Sequence, residues 1–122
     1  MLRVAVAEDN PKDRERLLSF LKQYGEEKHV QIEVTEYTDG SELLEQYRPC
    51  YDVIFLDVEM PQMDGMKAAE KIRETDEEVI LIFITNMAKY AIRGYEVQAL
   101  DYVLKPVKYQ AFSVKMDKVN RL

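Results

Sequence analysis

Apolar residues along the chain follow two patterns: short, nearly continuous β-rich runs, and longer stretches in which they recur every three or four positions. The runs at residues 2–7, 32–37, 52–57, 79–85 and 100–104 have the length and branched-chain content of strands. Between the first two runs, Asn10 is a good N-cap and Pro11 a good first helical residue. Leu17, Leu18, Leu21 and Tyr24 then share one face, and Gly25 is expected to stop that helix. Thr38, Asp39 and Gly40 supply a turn, and Ser41, Glu42, Leu43 and Leu44 open a short second helix before Pro49. Pro61 makes residues 58–64 a loop, and a third helix is expected over Gly65 to Thr75. A fourth covers Ala88 to Gly94. Tyr109, Phe112, Met116 and Val119 form the stripe of a fifth, with no Gly or Pro to end it before Leu122. Strand and helix alternate throughout, the signature of an α/β fold with a parallel sheet covered by helices. The unfinished final stripe predicts that residues 1–122 are the front part of a longer protein.

A length of 122 residues suits one domain with a real core, and 47 % hydrophobic with 33 % charged residues is an ordinary globular balance. Lys plus Arg number 17 against 23 Asp plus Glu, a net charge of -6, so these residues should repel a phosphate backbone and direct nucleic-acid binding is not expected. The longest apolar run, residues 79–84, is far short of the roughly 20 residues that span a bilayer, and Glu8 arrives before any signal-peptide core develops. No membrane association and a cytoplasmic location are expected. A single cysteine, Cys50, makes no internal disulfide.

Chemistry-bearing residues fall at the carboxyl ends of the expected strands: Glu8 and Asp9 after the first, Asp57 at the end of the third, Thr85 after the fourth and Lys105 after the fifth. In an open parallel sheet those ends share one edge, so residues distant in sequence converge there. Carboxylates a few ångströms apart repel by about 1 kcal/mol per pair in water and about 4 kcal/mol at effective surface dielectrics. A cation or protons must relieve this. All-oxygen donors with no His or Cys select a hard ion, and few carboxylates with room for water suit Mg²⁺ better than Ca²⁺. Asp57 is then a candidate nucleophile toward phosphorus, with Lys105 neutralising the developing charge and Thr85 donating its hydroxyl. Taken singly, Glu8 and Asp9 could merely favour a helix N-terminus, Thr85 a cap and Lys105 the solvent. Their joint occurrence at matching strand ends favours the functional reading.

Three blocks carry a resemblance over essentially the whole chain: Val6-Ala7-Glu8-Asp9-Asn10, Phe55-Leu56-Asp57-Val58-Glu59-Met60-Pro61-Gln62-Met63-Asp64-Gly65, and Asp101-Tyr102-Val103-Leu104-Lys105-Pro106. Together they resemble a bacterial response-regulator receiver domain. The resemblance implies a flavodoxin-like, doubly wound five-stranded sheet of order 2-1-3-4-5 and a cis peptide before Pro106. It also implies Mg²⁺ held by Glu8, Asp9, Asp57 and the Glu59 carbonyl, with Asp57 phosphorylated by a sensor histidine kinase. Thr85 and Tyr102 are the implied switch pair, altering the surface of the fourth helix, fifth strand and fifth helix. The words around Tyr90-Ala91 and from Gly94 to Asp101 resemble receivers of the LytTR class, which implies a linked DNA-binding output domain controlling transcription. A homodimer formed on phosphorylation is a further implied partner.

Asn86 departs from the small residue that many receivers carry after the switch threonine, and with Glu59 and Met87 it flanks the expected site. Met60, Met63 and Met66 read as flexible packing, and His29 as a solvated residue in a polar connector. Tyr90, Ile92 and Tyr95 suit either an exposed dimer face or an ordinary half-buried helix. Lys108, Lys115, Lys118 and Arg121 give the tail a positive bias. A haloacid-dehalogenase-type phosphatase also uses a strand-end aspartate with Mg²⁺. It carries its nucleophile on the first strand, whereas here the acidic pair precedes Asp57. A flavodoxin-like phosphate binder would not place Glu8 and Asp9 in its first loop. The chain is therefore expected to be a self-phosphorylating signalling domain and not a multiple-turnover enzyme.

Overall fold

The computed structural model describes residues 1–45 and 47–122. Five strands, β1 (Leu2–Ala7), β2 (Ile32–Tyr37), β3 (Val53–Leu56), β4 (Ile80–Thr85) and β5 (Asp101–Leu104), form a parallel sheet of order β2-β1-β3-β4-β5. The helices are α1 (Pro11–Lys28), α2 (Gly40–Leu44), α3 (Gly65–Thr75), α4 (Ala91–Glu96) and α5 (Tyr109–Arg121). The expected strand order and the cis Lys105–Pro106 bond are both found. Among the described residues, no helix is long and apolar enough to cross a membrane.

Alternation along the central strands divides the core in two. Ala5, Ile54, Leu56, Leu81 and Phe83 face α2, α3 and α4, burying Leu43, Met66, Ala69, Ile72 and Val97. Val4, Val6, Val53, Phe55, Ile82 and Ile84 face α1 and α5, burying Leu17, Leu21, Tyr24, Phe112, Met116 and Val119. The helical stripes expected for α1 and α5 therefore face the core, with Leu18 and Tyr109 only partly buried at its margin. The Tyr24 hydroxyl ties these two helices by donating to Asp117 Oδ1 at 2.7 Å.

Helix starts follow their caps. The Asn10 side chain accepts from the Lys12 and Asp13 amides, Asp39 from Ser41, and Asp64 from Lys67. Helix ends follow less simply. Gly25 does not stop α1, which runs three residues further and closes at His29, whose φ of 55° and ψ of 42° are left-handed. Histidine tolerates that conformation better than most residues. Gly25 instead makes room: a Cβ there would lie 2.9 Å from the Val30 carbonyl oxygen as the chain turns back into β2. Likewise Gly94 does not end the fourth helix. Ala88–Tyr90 is a 3₁₀ turn, α4 proper continues to Glu96, and Gln98 takes the positive φ. The fifth strand begins at Asp101, one residue later than expected.

Gly65 has a steric role. It opens α3 with its amide on the Val58 carbonyl at 2.8 Å, and a Cβ there would overlap the Asp57 carbonyl. We predict that Gly65→Ala destabilises the fold by about 1–3 kcal/mol, as overpacking against backbone does. A urea denaturation midpoint unchanged from wild type would contradict this.

Candidate functional site

Parallel pairing brings the carboxyl ends of β1, β3, β4 and β5 to one edge, and the ladder extends one residue past each strand that matters. The Asp57 amide donates to the Ala7 carbonyl at 3.0 Å, and the Lys105 amide to the Thr85 carbonyl at 2.9 Å. Both side chains thus leave the backbone at a defined level. Lys105 Nζ lies 2.7 Å from Asp57 Oδ2, 2.8 Å from Glu8 Oε1 and 2.7 Å from Asp13 Oδ2. Oxygens of Glu8, Asp9 and Asp57 all lie within 4.8 Å of one another. Glu8 and Asp57 are buried and Asp9 is exposed, so the cluster has an inner wall and an open mouth.

Three carboxylates therefore meet one ammonium, and Asp9 lies close to two of them. Burial alone would lower the Lys105 pKa, but hydrogen bonds to Asp13, Asp57 and Glu8 outweigh it and hold the ammonium charged well above its usual range. Glu8 responds in the opposite sense for an acid. Burial pushes its carboxyl up to about 7, the Asp57 charge adds to the rise, and the bonds to Lys105 and the Asn10 amide offset only part of it. A donor set made only of clustered carboxylate oxygens, in excess over the available positive charge, fits a hard divalent cation.

Of the predicted residues, Glu8, Asp9, Asp57 and Lys105 meet directly. Glu59 joins them through its backbone: its amide donates to Asp57 Oδ1 at 3.1 Å while its side chain is exposed. Thr85 is fully buried beside the edge, and its Oγ1 accepts from the Met87 amide at 3.2 Å. The ring of Tyr102 packs on Phe83 at 5.5 Å between centroids, and its hydroxyl donates to the Met87 carbonyl. Thr85 and Tyr102 are thus joined through the backbone of one residue, Met87. Asn86 is exposed and lines a cavity shared with Lys105. His29 is exposed at the end of α1, as expected, and Met60 and Met66 are packing residues. Two tail lysines are engaged within the chain: Lys115 and Lys118 lie 2.5 and 3.9 Å from Asp101.

Two residues at this edge were not singled out by sequence reasoning. Asp13 stands three residues past the Asn10 cap, a spacing that already places it on the first turn of α1 at this edge. Asp39 was assigned only to a turn, yet its carboxylate accepts from the Gln62 and Met63 amides at 2.9 and 3.1 Å as well as from Ser41. Burial works against ionising it, but these donors prevail and hold its pKa below the usual carboxylate value. It pins the loop that follows Asp57.

The response regulator receiver domain family matches residues 4–117. This chain belongs to that family. The receiver is 34 % identical to the sensory transduction protein LytT of Oceanobacillus iheyensis, over 98 % of this chain and 48 % of the relative. It is 32 % identical to the transcriptional regulatory protein BtsR of Escherichia coli, over 88 % and 43 % respectively. The similarity to LytT accords with the LytTR-class resemblance. Among solved structures, the response regulatory domain of mrkE from Klebsiella pneumoniae superposes with a TM-score of 0.84 at 26 % identity, covering 98 % of this chain and 96 % of that one. The response regulator TrrA from Thermotoga maritima, in complex with Mg²⁺ and BeF, gives 0.81 at 27 % identity, covering 98 % and 99 %. The receiver spans about half the length of the curated relatives it matches. It is a signalling domain of the two-component type, and the haloacid-dehalogenase-type alternative gains nothing from these matches.

The raised Glu8 pKa has a definite sign for stability. Between about 4.5, its ordinary value, and about 7, the unfolded chain has lost this proton and the folded receiver retains it, so stability falls as pH rises and levels off above 7. Without divalent ions, the wild type should therefore lose on the order of 2–4 kcal/mol relative to Glu8→Gln across that window. Urea midpoints at intervals of pH check this; a pH-independent difference between the two proteins would refute it.

Proposed function

We propose that the receiver is a phosphoacceptor switch, with Asp57 taking a phosphoryl group from a phosphohistidine of a sensor histidine kinase. The observation that carries this reading is the nearly buried Lys105 ammonium 2.7 Å from Asp57 Oδ2, at the inner wall of the acidic cluster. An Asp57 oxygen attacks phosphorus, the new P–O bond forms as the P–N bond breaks, and the imidazole leaves with that electron pair and takes up a proton. Lys105 stays protonated and pairs with the phosphoryl oxygens. Glu8, Asp9 and Asp57, with the Glu59 carbonyl, would hold Mg²⁺, which supplies charge neutralisation when bound. Asp39 and Gly65 hold the loop that carries the acceptor.

In this reading Thr85 gives up the Met87 amide to serve the phosphoryl group. The contact that Met87 shares with Tyr102 then changes, and with it the face formed by α4, β5 and α5. Ile92 and Tyr95 are 76 % and 84 % exposed on that face, a surface suited to a second receiver or to a linked output domain. By the same reading the full protein carries an output domain that controls transcription, acts in the cytoplasm, and relies on that domain for nucleic-acid contact. The receiver itself is modified once per signal and is not a turnover enzyme.

Incubation with Mg²⁺ and a small phosphodonor, followed by intact-mass measurement, tests the reading. One phosphoryl increment is expected for wild type and none for Asp57→Asn or for wild type with excess chelator. An increment that persists in Asp57→Asn would place the acceptor elsewhere. Asn86 and Glu59 flank the phosphoryl position, so Asn86→Ala and Glu59→Ala should each alter the dephosphorylation half-life; two unchanged half-lives would remove them from that role.

A further inference from the structure

Lys105 carries three N–H donors, and three carboxylates occupy them: Glu8, Asp57 and Asp13. A phosphoryl oxygen can gain a hydrogen bond from this ammonium only by displacing one of the three. Glu8 and Asp57 are the buried pair that also belongs to the acidic cluster, with side chains only 6 % and 7 % exposed. The Asp13 side chain is 37 % exposed and lies outside that cluster. It also borders a cavity of about 230 Å³ together with Glu8, Arg16, Asn86 and Lys105, and of the two carboxylates that line this cavity it is the less buried. Its backbone is fixed meanwhile by the amide bond to Asn10 Oδ1 at 3.1 Å.

We infer that Asp13 is a specificity-determining residue: it competes with the incoming phosphoryl group for Lys105 and sets a negative charge at the mouth of the site that discriminates phosphodonors by their charge. The inference rests on the phosphoacceptor reading of Asp57. A small dianionic donor meets both the competition for Lys105 and the full repulsion. A donor of lower net charge meets less of the repulsion. A kinase phosphohistidine, delivered by a protein surface, can displace Asp13 with contacts that a free small molecule lacks. The alternative role for Asp13 is to favour the amino-terminal turn of α1, which would affect stability but not the choice between donors.

The test compares phosphorylation rates by intact mass for two donors in the presence of Mg²⁺. Acetyl phosphate is a dianion at neutral pH and loses acetate, with the P–O electron pair, as the Asp57–phosphorus bond forms. Phosphoramidate carries a single net negative charge and loses ammonia by cleavage of its P–N bond. Asp13→Asn should speed the acetyl phosphate reaction roughly two- to fivefold, the scale of one partly exposed charge, and the phosphoramidate reaction by less. Asp13→Glu should keep the wild-type ratio of rates, and Glu77→Gln, which removes a charge at the far edge, should leave that ratio unmoved. Asp13→Ser serves if the asparagine variant does not fold, because serine suits a first helical turn. An equal change for both donors, or none, overturns the inference while leaving Asp57 as acceptor. A wild-type receiver that gains no mass from either donor overturns both readings.

Discussion

The site depends on a charge imbalance around a nearly buried ammonium. Only 10 % of the Lys105 side chain is exposed, and a cation so placed is tolerated because three carboxylate oxygens stand at hydrogen-bonding distance. Three acids against one base, with Asp9 close by, leave a local excess of negative charge that the protein does not neutralise by itself. Burial raises the proton affinity of Glu8, and the neighbouring Asp57 charge adds to that rise. The excess makes the pocket receptive to a divalent cation. A fully compensated cluster would be a more comfortable structural ion pair and a poorer place for phosphoryl chemistry.

The two sides of this edge are held differently. The acceptor loop is fastened at both ends: Gly65 sits directly over the Asp57 carbonyl, its amide closes on Val58, and Asp39 gathers the Gln62 and Met63 amides from across the loop. The opposite side is lightly attached. Helix α4 has six residues, too few to be stable alone, and Gly94 is its one buried residue. Polar contacts do much of the holding: Arg93 meets Glu70 at 3.2 Å, while Arg73 on α3 donates to the Val97 and Gln98 carbonyls at 2.7 and 3.2 Å. The exposed Arg93–Glu70 pair is individually weak.

Much of this was legible in the sequence because the rules involved are local. The cap at Asn10 with Pro11 marks the start of its helix, the apolar runs mark their strands, and placing the chemistry at strand ends predicted that Glu8, Asp57 and Lys105 would meet. The misreadings arise where a residue acts at a distance. Gly25 looks like a stop when only the helix is considered, but it answers to the Val30 carbonyl after the turn. Asp39 satisfies a local cap, so nothing local reveals that its carboxylate also serves amides more than twenty positions away. The lysines of α5 suggest a basic tail until Asp101, brought beside them by the sheet, is seen to engage two of them.

Under the proposed function, the difference in fastening also accounts for chemistry at Asp57 moving a surface without loosening the acceptor. Pre-organised groups at the reacting centre avoid reorganisation during phosphoryl transfer, which favours the stiff loop around Asp57. Signalling needs an element whose two positions differ by little free energy, which favours a short helix with few buried residues of its own. The backbone of Met87 lies at the boundary between the two, with its amide on buried Thr85 and its carbonyl on Tyr102. Any new partner for the Thr85 hydroxyl acts on the same residue whose carbonyl holds the tyrosine. Under the proposed function, a contact made at the firmly held side would thereby be converted into a choice of position on the lightly held side.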